Sequence, residues 1–426
     1  MMQDIQSLNT PNIPELSGNF EWKHLQEAVR QFGTPLYVYD LDRIAQRVNQ
    51  LKAAFAGRKA LICYALKANS NLSIVKKLAG LECGADCVSL GEIKRAVLAG
   101  IPKYKIIYSG VGKQDFEIKE ALKLGILFIN VESKEELQRV EQCAKELECV
   151  ARISVRVNPD IDPQTHPYIS TGLKENKFGV SIEVAKEMYL YAHNSEFLEP
   201  VGIHFHIGSQ ITKLKPIQES AQKIAQLAHS LLALKMDIKF FDVGGGIGIT
   251  YSDETTIQPY DYAQAILEEL RGLDVTIICE PGRFIVGNSG VFLTQVLYQK
   301  ENQGKHFVIV DGAMNDLIRP SLYGAYHQII ALKESQDSIC ADIVGPICES
   351  GDYLGKNITL PKIERGDILA VLSAGAYGFS MASNYNTRPK SAEVAIEQGR
   401  ITLVRKRETF EDIIALEKDC VLGGLL

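Results

Sequence analysis

A few short stretches of this chain carry reactive side chains at spacings that could do chemistry. Lys67 closes an apolar run in Tyr64-Ala-Leu-Lys67-Ala-Asn69. A lysine partly withdrawn from water has a lowered pKa, and its neutral amine can attack a carbonyl carbon. The plainer reading is a surface lysine whose stem lies on apolar ground. Asp86 is carried within a second such run, Cys83–Val88, and His204-Phe-His206-Ile-Gly208-Ser209-Gln210 ends another. His204 and His206, two apart on a strand, share a face, so one could lie flat on a ring while the other packs in the interior. Gly244, Gly245 and Gly246 follow Asp242 and could offer backbone N–H groups to a phosphate, or form no more than a flexible turn. In Glu280-Pro281-Gly282-Arg283 the carboxylate could face a pyridine nitrogen, keep it protonated and make the ring an electron sink. It could equally be a partner for Arg283. Further on, Arg319 in Arg319-Pro-Ser-Leu-Tyr323 has a planar fork suited to a carboxylate. Cys348-Glu349 and Ala376-Tyr377-Gly378 complete the set; a lone cysteine is more commonly a small buried hydrophobe.

Such residues act together only if the fold collects them. Short β-branched or apolar runs alternate with helical periodicity from residue 35 onward, the pattern of βα units on a parallel sheet. The runs are Leu61–Leu66, Cys83–Val88, Lys105–Ser109, Ile126–Val131, Arg152–Asn158, Val201–Ile207, Lys239–Val243 and Val275–Glu280. Eight successive units predict an α/β fold with a (β/α)8 TIM-type barrel, which typically takes ~250 residues. A doubly wound open sheet is the competitor, but the first turn here lacks that fold's glycine-rich signature. In a barrel, the loops at the C-terminal ends of the strands carry the site, and the stretches from Lys67 to Arg283 fall there.

After Arg283 the rhythm changes. Phe284–Lys300, His306–Val310, Gln328–Leu332, Asp367–Leu372, Ala392–Glu397 and Arg400–Arg405 read as strands of a second, all-β domain. The last two flank Gln398-Gly399 as a tight hairpin. The expected division is an N-terminal segment, 1–34, packing on the β domain; a barrel over 35–280; and the β domain over 281–426.

Composition excludes several classes. With 46 Lys plus Arg against 52 Asp plus Glu the net charge is −6, without a basic run, which argues against a nucleic-acid or anionic-membrane partner. No apolar run approaches the ~18 residues of a membrane span, and the first residues lack the pattern of a secretory signal. The nine cysteines are scattered singly, with no CxxC pair or paired histidine ligands. That argues against a disulfide scaffold or a bound metal and fits a reducing cytoplasm.

Taken in order, the stretches resemble the fold-type III pyridoxal-phosphate decarboxylases, and within them the branch that decarboxylates meso-2,6-diaminopimelate to L-lysine. The resemblance also includes Phe32-Gly-Thr-Pro35, His166-Pro-Tyr-Ile-Ser-Thr-Gly172 with Lys177-Phe-Gly179, and Met381-Ala-Ser-Asn-Tyr-Asn386. It implies pyridoxal 5'-phosphate as cofactor, with Lys67 as its covalent anchor, His206 stacked on its ring and Glu280 on the ring nitrogen. Asp86, Ser209, Gly244, Gly245, Gly246, Gly282, Arg283 and Tyr377 are the other implied cofactor contacts. Arg283, Arg319, Tyr323, Glu349 and Tyr377 would hold a small amino-acid substrate, and Cys348 would donate a proton. Cys348 and Glu349 are implied to reach a neighbouring subunit's site, making a homodimer with active sites at the subunit interface. Two alternatives stand beside this reading. One is a sibling decarboxylase for ornithine, arginine or carboxynorspermidine. The other is an inactive homologue acting by mixed dimers, which would be expected to lack Lys67 or Cys348.

Overall fold

The computed structural model describes residues 18–163, 165, 171–172 and 176–422. The stretch His166 to Ser170 lies outside them. Helix α1 (Trp22–Phe32), strand β1 (Leu36–Asp40) and helix α2 (Leu41–Ala54) come first. Then β2 (Ala60–Ala65), β3 (Gly84–Cys87), β4 (Ile106–Tyr108), β5 (Phe128–Val131), β6 (Ala151–Arg156), β7 (Leu198–His204), β8 (Phe240–Asp242) and β9 (Thr276–Cys279) close into a parallel barrel. The ring is sealed by β2 against β9, with Leu61 beside Ile278. Between the strands run α3 (Leu72–Gly80), α4 (Leu90–Leu98), α5 (Asp115–Leu124), α6 (Lys134–Glu146), α7 (Ile182–His193), α8 (Leu214–Ala233) and α9 (Pro259–Glu269). Side-chain caps start several of them close behind the strand ends: Asn71 accepts from the Ser73 N–H, Ser89 from Glu92, Ser133 from Glu136 and Ser181 from Val184.

The barrel interior is layered by the two-residue period of its strands. Cys63, Ile107, Phe128, Val201, Ile278 and Phe240 pack together as an apolar plug. Two residues onward on the same face stand Ser109, Asn130, Asp242 and Glu280, all buried. The sequence thus builds an oily floor and a polar mouth from the same strands, and the chemistry collects at the mouth.

The second unit is a nine-stranded sheet, mostly antiparallel, in the order β14-β13-β11-β10-β1-β16-β17, with β15 on β10 and β12 on β15. Its strands after the barrel are β10 (Gly290–Asn302), β11 (Lys305–Val310), β12 (Ile329–Ala331), β13 (Ser338–Val344), β14 (Tyr353–Pro361), β15 (Ile368–Val371), β16 (Ala392–Glu397) and β17 (Arg400–Arg405). Gln398 and Gly399 carry φ of 51° and 76° between β16 and β17, the left-handed pair that a two-residue hairpin requires. Phe20, Leu25 and Ala28 pack with Leu36, Val38, Val291, Leu293 and Val394 against this sheet.

Three features differ from the expectation. Leu36–Asp40, assigned with the barrel span 35–280, is a strand of the second sheet, lying between β10 and β16. Each neighbour bonds one of its edges, which alternation within five residues does not reveal. Phe284–Lys300 is not one strand: Arg283–Val286 forms a helical turn, α10, between Gly282 and Gly287 before β10 begins. All four of its side chains are buried at the junction, so packing overrides their β-like composition. Helix α2 and strands β13 and β14 were also absent from the sequence reading. Among the described residues no helix is long and apolar enough to cross a membrane.

Candidate active site

Strand β2 runs into a single 3-10 turn, Leu66–Ala68, which carries Lys67 over the barrel mouth. Its Nζ donates to Asp86 Oδ2 at 3.1 Å, while about a third of the side chain (36%) faces a cavity. The register explains the meeting, since Ala65 pairs with Asp86 across β2 and β3. The expected lowering of the lysine pKa does not hold. Burial pushes it down, but the carboxylates of Asp86 and Glu280 outweigh burial and hold the amine above the usual lysine range. Burial, and then Glu280, raises the Asp86 carboxyl. Asp86 therefore holds the Lys67 amine, in its charged form, in place at the barrel mouth.

Adjacent registers gather the next group. His204 pairs with Asp242 across β7 and β8, and Asp242 with Ile278 across β8 and β9, two residues before Glu280. His204 Nε2 lies 3.4 Å from Glu280 Oε2, both almost fully buried. Burial raises Glu280, but His204 and then Lys67 pull it below the ordinary carboxylate range. Burial and the Glu280 charge push Asp242 far up. The ligand atoms of His204, Asp242 and Glu280 lie within 4.8 Å of one another. Glu280 Oε1 is buried and has no hydrogen-bond partner among the described residues.

His206 is kept neutral: burial, and then Arg156, pushes its pKa well below the usual histidine value. Its Nδ1 accepts from the Gly245 N–H at 3.1 Å, which leaves the proton on Nε2. The glycine run is required by close packing. A Cβ on Gly245 would lie 2.2 Å from the Glu280 carbonyl oxygen, and one on Gly246 would lie 2.5 Å from that of Gly208. Gly244, at φ of 65°, donates to Asp242 Oδ1 at 2.9 Å. Gly282 fits between the β-carbons of Ala65 and Ala68.

The second unit closes the cavity, which has a volume of about 630 Å³. Arg319 and Tyr323 come from a short helix, α11 (Arg319–Tyr323), and Tyr377 donates its backbone N–H to the Ala68 carbonyl at 2.8 Å. Arg283 donates to Ser209 Oγ through Nη2 at 3.1 Å and stacks on Tyr377 at 5.0 Å. Lys67, His206, Ser209, Glu280, Arg283, Arg319, Tyr323 and Tyr377 line this one cavity. Asp86 lies beneath Lys67, and the glycines contribute backbone. Cys348 and Glu349 do not line it. Cys348 is exposed, with its N–H on Asn386 Oδ1 at 3.1 Å, and Glu349 accepts from the Tyr385 hydroxyl at 2.9 Å.

Arg156 and Tyr251 are among the lining residues that the sequence did not single out. Arg156 ends β6 at the mouth, bonded to buried Glu132 at 3.1 Å, and its place at a strand's C-terminal end was a usable signal. Tyr251 lies in the loop after the glycine run, and nothing in its spacing marks it.

The family described as pyridoxal-dependent decarboxylase, pyridoxal binding domain, matches residues 41–287. The chain is 58% identical to a diaminopimelate decarboxylase of Helicobacter pylori over 400 residues, covering 93% of this chain and 99% of that one. It is 56% identical to the diaminopimelate decarboxylase of Campylobacter jejuni, covering 93% and 98%. The crystal structure of the Helicobacter pylori enzyme complexed with L-lysine superposes with a TM-score of 0.91 at 58% identity, again over 93% and 99%. At this identity over nearly the full length, the chain belongs to the diaminopimelate decarboxylases, a family of pyridoxal-dependent decarboxylases.

Proposed function

We propose that this protein decarboxylates meso-2,6-diaminopimelate to L-lysine and carbon dioxide, using pyridoxal 5'-phosphate. One observation carries the reading. A single cavity holds a lysine amine, a buried unpartnered carboxylate oxygen and two guanidinium groups that form no ion pair among the described residues. The cofactor fits what is present: Glu280 Oε1 lacks a partner, and the Gly244–Gly246 backbone is packed too closely for side chains. Lys67 would anchor it, His206 would lie on its ring, and Glu280 would face the ring nitrogen. Ser209, the glycine run, Gly282, Arg283 and Tyr377 would hold the phosphate side. When bound, pyridoxal phosphate supplies the electron sink that makes carbon–carbon cleavage possible.

The chain's own groups do the rest. Asp86 accepts a hydrogen bond from the Lys67 amine and orients it over the barrel mouth. Glu280, ionised by His204 and Lys67, holds a proton on the ring nitrogen. Neutral His206 can pack on a ring without adding charge. Arg283, Arg319 and Tyr323 hold the carboxylate that does not react, which orients the other for loss. Cys348 of a neighbouring subunit gives a proton to the carbon that lost its carboxylate, and that subunit's Glu349 reads the distal ammonium. The working enzyme is then a homodimer. The nine cysteines, none of them paired, support a cytoplasmic setting.

Lysine and carbon dioxide release should be measured on meso-diaminopimelate, ornithine and arginine. Turnover of diaminopimelate alone is expected; equal or better turnover of ornithine or arginine would overturn the substrate assignment. Glu280→Gln should retain the cofactor while turnover falls by on the order of 100-fold or more, because a neutral amide cannot hold the ring nitrogen protonated. Unchanged turnover at full cofactor occupancy would assign control of the ring to another group.

A further inference from the structure

Arg283 and Arg319 are both buried, at 7% and 6% exposure, and neither has a carboxylate partner among the described residues. Both converge on one oxygen. Arg283 Nη1 donates to the Tyr251 hydroxyl at 2.5 Å and Arg319 Nη1 at 2.8 Å. Their guanidinium carbons lie 5.8 and 5.0 Å from the centre of the Tyr251 ring. A phenol oxygen has two acceptor lone pairs and one donor proton. With both lone pairs taken by guanidinium groups, only the proton remains to be given. Among the described residues no acceptor is paired with it, although Tyr251 is itself buried at 6% exposure and lines the cavity. Arg319 Nε is likewise buried without a partner. The ring is held edge-on against His327, with centroids 5.4 Å apart, and the Tyr251 N–H donates to Glu254 Oε2 at 2.8 Å. His327 faces this cluster as a neutral ring, its pKa pushed down to about 3 by burial and by Arg319, so it adds no charge.

We infer that Tyr251 is a substrate-binding residue: it sets the spacing of the two guanidinium forks and donates its hydroxyl proton to the non-reacting carboxylate of the bound amino acid. This rests on the substrate reading above, which requires a carboxylate at that end. Burying two like charges side by side is costly without an anion, and a shared neutral oxygen meets that cost only in part. The carboxylate completes the arrangement by accepting from three converging donors. Tyr251 is thus a determinant of specificity for substrates that carry a distal carboxylate.

The test compares Tyr251→Phe with the wild-type holoenzyme in binding L-lysine and cadaverine, which is lysine without its carboxylate. Affinities come from calorimetry, with the visible absorbance of the cofactor recorded in parallel. Phenylalanine keeps the ring and its packing on His327 and removes one oxygen. L-lysine should bind roughly 10- to 100-fold more weakly to the variant, the range for one hydrogen bond to a charged group, with cadaverine affinity and cofactor absorbance unchanged. An unchanged lysine-to-cadaverine ratio in a variant with normal absorbance overturns the role of Tyr251 alone. Equal weakening of both ligands, or loss of absorbance or of folding, assigns Tyr251 to structure and also overturns it. Wild-type protein that does not prefer L-lysine overturns the substrate reading, and this inference with it.

Discussion

Replacing Lys67 with alanine should lower turnover by on the order of 1000-fold or more and abolish the visible absorbance of the lysine-bound cofactor. Among the described residues Lys67 is the only lysine lining the cavity, which makes it the amine placed to act there. The variant should still fold. Lys67 is paired with Asp86, whose carboxyl burial already raises, so Asp86 can take up a proton when its partner is lost. Glu280 keeps His204 at 3.4 Å as a buried neighbour. Absorbance spectra, a lysine-release assay and a melting curve together check this result. A folded variant with both the chromophore and normal turnover would remove Lys67 from the mechanism.

Mixing two inactive variants should restore activity. Cys348 and Glu349 lie outside the Lys67 cavity of their own chain, Cys348 exposed and Glu349 hydrogen-bonded to an exposed Tyr385. If they serve a neighbour's site, a dimer of Lys67→Ala with Cys348→Ala contains one site with both groups and one with neither. Random exchange makes half the dimers mixed, each with one working site of two, so about a quarter of wild-type turnover should return. The readout is lysine release after subunit exchange has been verified with differently tagged chains. Activity that stays at the level of the separate variants would place Cys348 in its own subunit's chemistry or outside it.

The amino-acid sequence by itself determined the barrel. Its strands are short, almost wholly apolar and spaced by helical segments, and that period-two and period-3.6 alternation is a local property of the chain. The eight runs from Leu61 to Glu280 correspond to β2 through β9, and the reactive residues were legible because they sit where strands end. What long-range pairing decides was not legible. Strand β1 falls inside the span 35–280 assigned to the barrel but joins β10 and β16, and Arg283–Val286 is β-like in composition yet helical, because neighbours distant in sequence supply their partners. The pKa directions followed the same rule. Lys67 in an apolar run suggested a lowered pKa, whereas folding brings the carboxylates of Asp86 and Glu280 around it and reverses the sign. Only the tertiary structure placed Tyr251 between Arg283 and Arg319, residues 32 and 68 positions away along the chain. A hydroxyl's hydrogen bonds depend on which groups meet it in space, and no spacing along a loop encodes that meeting.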